Sequence, residues 1–146
     1  MVTVRRMLDT KRLEMVVMVT PEETVADAAA LLAQHDIGAV IVSSDGRTAE
    51  GILSERDVIQ GLAARGASLI ETPVSELMTR DVIACHPQDT ALSVLERMTE
   101  GRFRHMPVVE NGELVGMISI RDAVRVRMEE MEKENSSLVG MIANSW

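Results

Sequence analysis

Two short segments place a hydroxyl group and a carboxylate at a spacing that suits ligand chemistry at the start of a helix. Gly51-Ile-Leu-Ser-Glu-Arg-Asp57 recurs as Gly116-Met-Ile-Ser-Ile-Arg-Asp122. A serine that ends a strand just before a helix presents its hydroxyl, together with free helix N–H groups, to a phosphate. An aspartate three residues later lies about one turn along the same side, and its carboxylate can accept two hydrogen bonds from vicinal hydroxyl groups.

The same residues also suit a purely structural role. Serine is a good N-cap, and an aspartate in the first turn interacts favourably with the helix dipole. A single copy would favour the structural role, but here both residues recur. Arg56 and Arg121 repeat as well, but an exposed arginine beside an aspartate is more typical of a solvated or ion-paired residue than of a phosphate ligand.

The two segments belong to an internal repeat of about half the chain. The offset is 65 residues between the segments and 66 upstream of them, where Pro21 matches Pro87 and Thr24 matches Thr90. The first copy therefore carries one extra residue, which we place within 47–50, in a turn where an insertion is easily tolerated.

An amphipathic helix is predicted near the start of each copy, because apolar residues recur at i, i+3, i+4 and i+7. These residues are Val25, Ala28, Ala29 and Leu32 in the first copy and Ala91, Val94, Leu95 and Met98 in the second. Thr24 with Asp27 resembles a capping box. Gly38 and Gly101 lie just past the two helices, where we expect a left-handed residue to end each one.

A β-hairpin and a second helix follow in each copy. Asp45-Gly46 and Asn111-Gly112 stand between apolar runs, which is a strong hairpin signal. Each half thus reads as a short helix, a strand, a helix, two strands and a helix. Because neither half alone can bury so small a sheet, we predict an α+β fold in which two similar halves, 1–70 and 71–146, pack together.

Composition narrows the class of protein. Hydrophobic residues make up 46% of the 146 residues, which is enough for a packed interior. Apolar runs such as 15–19 and 28–33 are too short to cross a membrane. A net charge of −8, with one phenylalanine and one tryptophan, argues against a nucleic-acid partner. The single cysteine and the lack of a visible signal peptide lead us to expect a cytoplasmic protein.

Catalytic and metal-binding patterns are not apparent in the sequence. Three scattered histidines and one cysteine lack metal-ligand spacing. No nucleophile–base set and no Walker-type glycine loop are evident. We therefore expect no catalytic residue and no metal.

The order of elements and the two Gly-x-x-Ser-x-x-Asp segments together resemble the CBS domain family. Leu77-Met-Thr-Arg-Asp-Val-Ile-Ala-Cys-His-Pro87 resembles the usual start of a second CBS repeat, and Phe103-Arg-His-Met-Pro-Val-Val109 resembles the family's middle strand. The resemblance covers nearly the whole chain. It implies two repeats packed through their small sheets, with two symmetry-related clefts that in the family often bind AMP, ADP, ATP, NAD or S-adenosylmethionine.

The resemblance also assigns residues to the clefts. It implies that the serines and aspartates hold phosphate and ribose, that the edges 18–20 and 83–85 face 39–40 and 106–107 across the adenine, and that Arg104 and His105 face the phosphates. The expected ligand-binding residues are Ser54, Asp57, Ser119, Asp122, Val19, Thr20, Ala39, Val40, Ile83, Ala84, Arg104, His105, Met106 and Pro107. Gly38 and Ala39 occupy the matching first-copy positions of Arg104 and His105, so the two clefts are chemically unequal.

The last helix carries a heptad pattern, which we call the heptad seam. Its members are Val124, Met128, Met131, Asn135, Leu138 and Ile142, separated by four and three residues in turn. A buried Asn135 would fix the register of two paired helices. Alternatively, the helix packs on its own module and ends early at Ser136-Ser137.

These observations predict a non-catalytic regulatory or sensor module that binds an adenosine nucleotide (AMP, ADP, ATP or NAD). We expect it to form a homodimer and to act on an unidentified protein effector, with no nucleic-acid or membrane partner. The alternative is a ligand-free scaffold dimer. An enzyme ranks last because no nucleophile or base is nominated.

Overall fold

The computed structural model describes residues 1–10 and 16–144. The helices are α1 (Val4–Thr10), α2 (Val25–His35), α3 (Glu55–Arg65), α4 (Ala91–Gly101) and α5 (Ile120–Asn144). The strands are β1 (Met18–Val19), β2 (Ala39–Val42), β3 (Gly51–Ser54), β4 (His105–Glu110) and β5 (Glu113–Ser119). Two short 3-10 helices, Gly66–Glu71 and Val74–Glu76, join the halves. The mixed helix and strand architecture with two similar repeats is as predicted.

Helix α2 begins as the sequence predicts. The Thr24 hydroxyl accepts a hydrogen bond from the Asp27 N–H at 3.2 Å, and Asp27 Oδ2 accepts one from the Thr24 N–H at 3.2 Å. This reciprocal pair is a capping box. Three of the four residues in each predicted stripe are buried, namely Val25, Ala28 and Leu32 in α2 and Ala91, Val94 and Met98 in α4.

The prediction that Gly38 and Gly101 end these helices in a left-handed conformation is wrong. The left-handed residues are Asp36, with φ 51°, and Arg102, with φ 58°, while Gly101 is the last residue of α4. The glycines are needed for space instead. A Cβ added to Gly38 would lie 2.9 Å from His105 Nε2, and one added to Gly101 would overlap the ring of Phe103.

The strands form two small sheets. In the first, β1 is parallel to β2 and β2 is antiparallel to β3; in the second, β4 is antiparallel to β5. Both predicted hairpins are therefore confirmed. Asn111 and Gly112 have φ values of 53° and 80°, which suits the primed turn that a tight hairpin prefers. The strand predicted around residue 85 is reduced to a single parallel bridge between Cys85 and Val108.

The loop between β2 and β3 accommodates the residue by which the repeats differ in length. The Asp45 carboxylate accepts hydrogen bonds from the N–H groups of Thr48 and Arg47. These bonds, led by that of Thr48, hold the pKa of Asp45 well below its usual range. The loop is thus a side-chain-stabilised turn at the surface.

Two hydrophobic cores lie under the sheets, and each is completed by a segment that precedes the other repeat. Val4 and Met7 of α1 pack in the second core, with Cys85, Met106 and Ile118. The first core contains Val19, Val40 and Leu53, together with residues that follow the first repeat, Val74 and Leu77. The predicted boundary between residues 70 and 71 is not tested by this packing and stays a prediction.

Helix α5 continues through Ser136-Ser137 to Asn144, so the predicted early end does not occur. Its seam residues Met128, Met131 and Leu138 are 64%, 55% and 56% exposed. This exposure argues against the alternative in which the heptad seam packs on its own module. The side chain of Ile142 lies outside the described residues, and pairing of two copies stays a prediction.

Replacing Met7 by alanine tests the contribution of α1 to the second core. Met7 is 3% exposed, so Met7→Ala should lower the free energy of unfolding by about 2–5 kcal/mol. Arg6→Ala, on the exposed side of the same helix, should change it by less than about 0.5 kcal/mol. Urea unfolding of both variants makes the measurement, and equal effects would contradict the packing.

The thiol of Cys85 should be inert in the folded protein. Cys85 is fully buried, and this burial raises the pKa of the thiol from 9.0 to about 11. Because the thiolate is the reactive form, a disulfide reagent at about pH 8 should label the chain only after unfolding. Since the folded pKa is the higher one, the thiol's contribution to stability is complete below about pH 9 and is lost as the pH rises toward about 11. Rapid labelling in the absence of denaturant would contradict the burial.

Candidate ligand-binding site

A cavity of about 690 Å³ lies between the two repeats. The first repeat contributes Ser54, Arg56 and Asp57 at the start of α3, and the second contributes Ile83 and the segment 102–105. This volume is within the usual range for small-molecule sites. The cavity is therefore large enough for a ligand that touches both repeats at once.

The segment that connects the two sheets forms one wall of the cavity. Thr79 and Ile52 exchange two main-chain hydrogen bonds of 2.9 and 3.0 Å, which attach the segment to the edge of β3. Further along, the Cys85 N–H donates to Pro107 O at 2.9 Å and so attaches the segment to β4. Residues 81–83, between these anchors, line the cavity.

Ser54 and Asp57 form a capping box at the start of α3. The Ser54 hydroxyl accepts from the Asp57 N–H at 3.2 Å, and Asp57 Oδ2 accepts from the Ser54 N–H at 2.9 Å. The Glu55 N–H donates to Gly38 O at 2.9 Å. The expectation of free N–H groups here is therefore wrong for Glu55 and Asp57, because both are already bonded. The Ser54 hydroxyl proton and Asp57 Oδ1 have no partner among the described residues.

The second copy of the motif has a different hydrogen-bond arrangement. Both the N–H and the hydroxyl of Ser119 donate to Asp122 Oδ2, at 3.0 and 2.9 Å. Arg125 lies 3.8 Å from Asp122 Oδ1. The Ser119 hydroxyl proton is thus engaged within the motif, whereas that of Ser54 is available to a ligand.

The cavity brings together six of the fourteen predicted residues: Ser54, Asp57, Ile83, Arg104, His105 and Pro107. The other eight do not line it: Val19, Thr20, Ala39, Val40, Ala84, Met106, Ser119 and Asp122. Val19, Val40 and Met106 have their side chains in the two cores. Only their main-chain groups are in a position to meet a ligand.

Three arginines line the cavity, and two of them were not predicted as ligand contacts. Arg56, Arg102 and Arg104 make no ion pair with any residue in the described part of the chain. Arg56 was expected to be solvated or ion-paired, and Arg102 was not singled out. The only indication for Arg102 in the sequence is that it lies two residues before Arg104, in the segment that follows α4.

The cavity is lined by both acidic and basic side chains. Carboxylates of Glu55, Asp57 and Asp81 come from α3 and the connecting segment. Arg56 also belongs to α3, whereas Arg102 and Arg104 come from the segment that leads into β4. Carboxylates accept hydrogen bonds from hydroxyl groups, and guanidinium groups bind phosphates. The lining therefore suits a ligand that carries both hydroxyl groups and negative charge.

The described part of the chain contains neither a metal-binding cluster nor a helix that could cross a membrane. Among residues 1–10 and 16–144, no group of three or more histidine, cysteine or acidic side chains is placed to hold a metal ion. No helix in the same ranges is long and apolar enough to cross a membrane.

Known proteins share this architecture. The CBS domain family model matches residues 12–64 and 74–129. The CBS domain-containing protein CBSX3, mitochondrial, of Arabidopsis thaliana is 33% identical over 129 residues, which are 83% of this chain and 63% of that protein. The chain matches only 24% of the length of two longer Arabidopsis relatives, the CBS domain-containing proteins CBSCBSPB3 and CBSCBSPB2.

Solved structures agree. A CBS-domain containing protein from Agrobacterium tumefaciens is 44% identical, with a TM-score of 0.81 over 86% of this chain and 98% of that chain. The CBS domain pair of protein MJ0100, solved with 5′-methylthioadenosine and S-adenosyl-L-methionine, is 21% identical, with a TM-score of 0.76 over 88% of this chain and 97% of that chain. With two matched repeats and this shared fold, the chain belongs to the CBS domain family and has the organisation of a regulatory CBS-domain pair.

Proposed function

We propose that the chain is a non-catalytic sensor that binds an adenosine nucleotide in the cavity between its repeats. The observation that carries the proposal is that Asp57 of the first repeat and Arg104 of the second line the same cavity. The first offers a carboxylate oxygen without a protein partner, and the second a guanidinium without an ion pair among the described residues. The adenosine compounds bound by one structural neighbour support the ligand class.

In this proposal the parts of the nucleotide meet different residues. Asp57 Oδ1 accepts hydrogen bonds from the ribose hydroxyls, while the capping box holds the carboxylate in place. Ile83 and Pro107 offer apolar contact to the adenine, and Arg104 and His105 lie toward the phosphates. AMP, ADP, ATP and NAD share the adenosine monophosphate unit that this arrangement would recognise.

The other cleft implied by the repeat is proposed to be the weaker phosphate site. It would use Ser119, Asp122, Val19 and Thr20, with Ala39-Val40 across the adenine. Gly38 and Ala39, at the positions that match Arg104 and His105, bring no charge. This cleft is therefore expected to favour AMP or to stay empty.

The proposal also covers the repeat boundaries, the cellular location and the partner of the protein. We divide the chain into repeats 1–70 and 71–146, and propose a cytoplasmic location and a protein effector that reads the ligand-bound shape. One relative is named as mitochondrial, so the compartment is a property to be measured for this chain. No catalytic role is assigned to any residue.

Replacing Asp57 tests the ribose contact. Hydrogen bonds to a charged group contribute about 1.5–3 kcal/mol, so Asp57→Ala should weaken binding of AMP or ATP by about 10- to 100-fold. Isothermal titration of the native chain with AMP, ADP, ATP, NAD and S-adenosylmethionine comes first. A 2′-deoxy nucleotide should bind the native chain poorly, and Asp57→Ala should reduce its affinity only a little further. This double comparison separates the ribose contact from general damage to the protein.

Asp27 provides a matched control for loss of the capping box. Asp27→Ala removes the same box from α2, which does not line the cavity. Both alanine variants should lose about 0.5–2 kcal/mol of stability, but only Asp57→Ala should lose affinity. Equal affinities of the two variants would remove Asp57 from the site.

A scaffold dimer is the second candidate function, and exposed apolar side chains favour it. Ile59 and Leu62 of α3 are 66% and 50% exposed, and Met128 and Met131 of α5 are exposed as well. A single chain gains nothing from such exposure, whereas a second copy would cover it. If the native chain binds none of the five compounds, this candidate replaces the sensor.

Truncation of α5 tests the homodimer, which belongs to both candidates. Light scattering at micromolar concentration should give a dimer for the native chain, and a weaker one after truncation past Glu129 or in Met131→Glu. Glu129→Gln is the control, because position 129 lies about 200° around the helix from Met131. A native monomer would contradict the homodimer, and an unchanged dimer in both α5 variants would exclude the heptad seam from the interface.

A further inference from the structure

Arg102 lies in a backbone conformation that its residue type does not favour. It follows α4 with φ 58° and ψ 40°, and its N–H donates to Met98 O. Asp36 holds the equivalent position after α2, with φ 51° and ψ 51°. Aspartate is tolerated in the left-handed region because its short side chain bonds locally, but arginine has no such compensation.

The side chain of Arg102 offers no structural reason for this conformation. It is exposed and lines the cavity, and it makes neither an ion pair nor a side-chain hydrogen bond with the described residues. A disfavoured backbone conformation beside a cavity is typical of a functional position. No interaction among the described residues therefore offsets the unfavourable backbone conformation of this arginine. A ligand in the cavity would supply such an interaction.

The three basic side chains of this segment differ in burial. His105 is half-buried against Gly38, where only a glycine leaves room for its ring. Arg104 and Arg102 are exposed and come successively before it in the chain. With its ribose toward Asp57, a ligand is therefore expected to meet the half-buried His105 before the exposed Arg102.

We propose that Arg102 is the specificity-determining residue by which this cavity distinguishes nucleotides by their number of phosphates. The inference rests on the nucleotide site proposed above. A guanidinium group binds a phosphate with two parallel hydrogen bonds. The α-phosphate lies near His105 and Arg104, and the terminal phosphate of ATP reaches Arg102, which AMP does not reach.

Glycine at position 102 separates this role from a structural one. Glycine adopts the left-handed conformation without steric cost, so Arg102→Gly should keep or raise the melting temperature. Isothermal titration should show that its affinity for ATP falls by about 10- to 100-fold, as expected for one lost charged hydrogen-bond pair. Its affinity for AMP should stay within about twofold of the native value.

Asp36→Gly is the matched control, since it relieves the same backbone conformation at a residue that does not line the cavity. It should leave the ATP-to-AMP affinity ratio of this cavity unchanged. Arg102→Lys should restore part of the ratio, because lysine keeps the charge but not the planar pair of donors.

Two unfavourable outcomes are distinguishable. If the native chain binds AMP and ATP and Arg102→Gly keeps their ratio, the role of Arg102 is overturned while the nucleotide site stands. If the native chain binds no adenosine compound, the site and the role of Arg102 fall together.

Discussion

The exchange of segments between the two cores is the constraint on which the rest of the structure depends. Val4 and Met7, near the start of the first repeat, complete the core of the second, and Val74, near the start of the second repeat, completes the core of the first. An ion pair between Arg5 and Glu110 adds to the attachment of α1. The repeats cannot separate without exposing apolar side chains, each of which contributes about 1.5–3 kcal/mol when buried. Moving the two walls of the cavity apart would therefore cost free energy.

The capping box of α3 connects folding to the proposed binding site. Asp57 uses Oδ2 to complete the helix start, and this bond fixes the direction of Oδ1. A carboxylate that is already oriented loses little conformational freedom when a ligand binds, so more of the hydrogen-bond energy appears as affinity. Asp57 can therefore serve both roles, because Oδ2 caps the helix while Oδ1 stays available to the proposed ligand.

The sequence predicts local features of the fold well, and non-local ones poorly. The capping box at Thr24, both hairpins and the apolar stripes depend on residues within a few positions of one another, so their patterns are visible in the chain. The left-handed residues Asp36 and Arg102 were missed, because the nearby glycines are required for space. Gly38 makes room for His105, which is distant in the sequence, and Gly101 makes room for the ring of Phe103, whose direction the sequence does not reveal. At the site, Ser54 and Asp57 were found through repetition, whereas Arg102 lies where the repeats differ and had no such signal.

Equivalent positions in the two repeats share a backbone conformation but not a charge. Asp36 and Arg102 both follow a helix in the left-handed region, and Gly38 stands where the second repeat has Arg104. The repeated fold therefore sets the backbone conformation at both positions, while individual side chains set the charge there. Charges are screened over about 8 Å at physiological ionic strength, so the net charge of −8 does not cancel the arginines at the cavity. An acidic chain can in this way offer arginines to an anionic ligand, as proposed for this cavity, provided that they form no ion pairs with the carboxylates that line it.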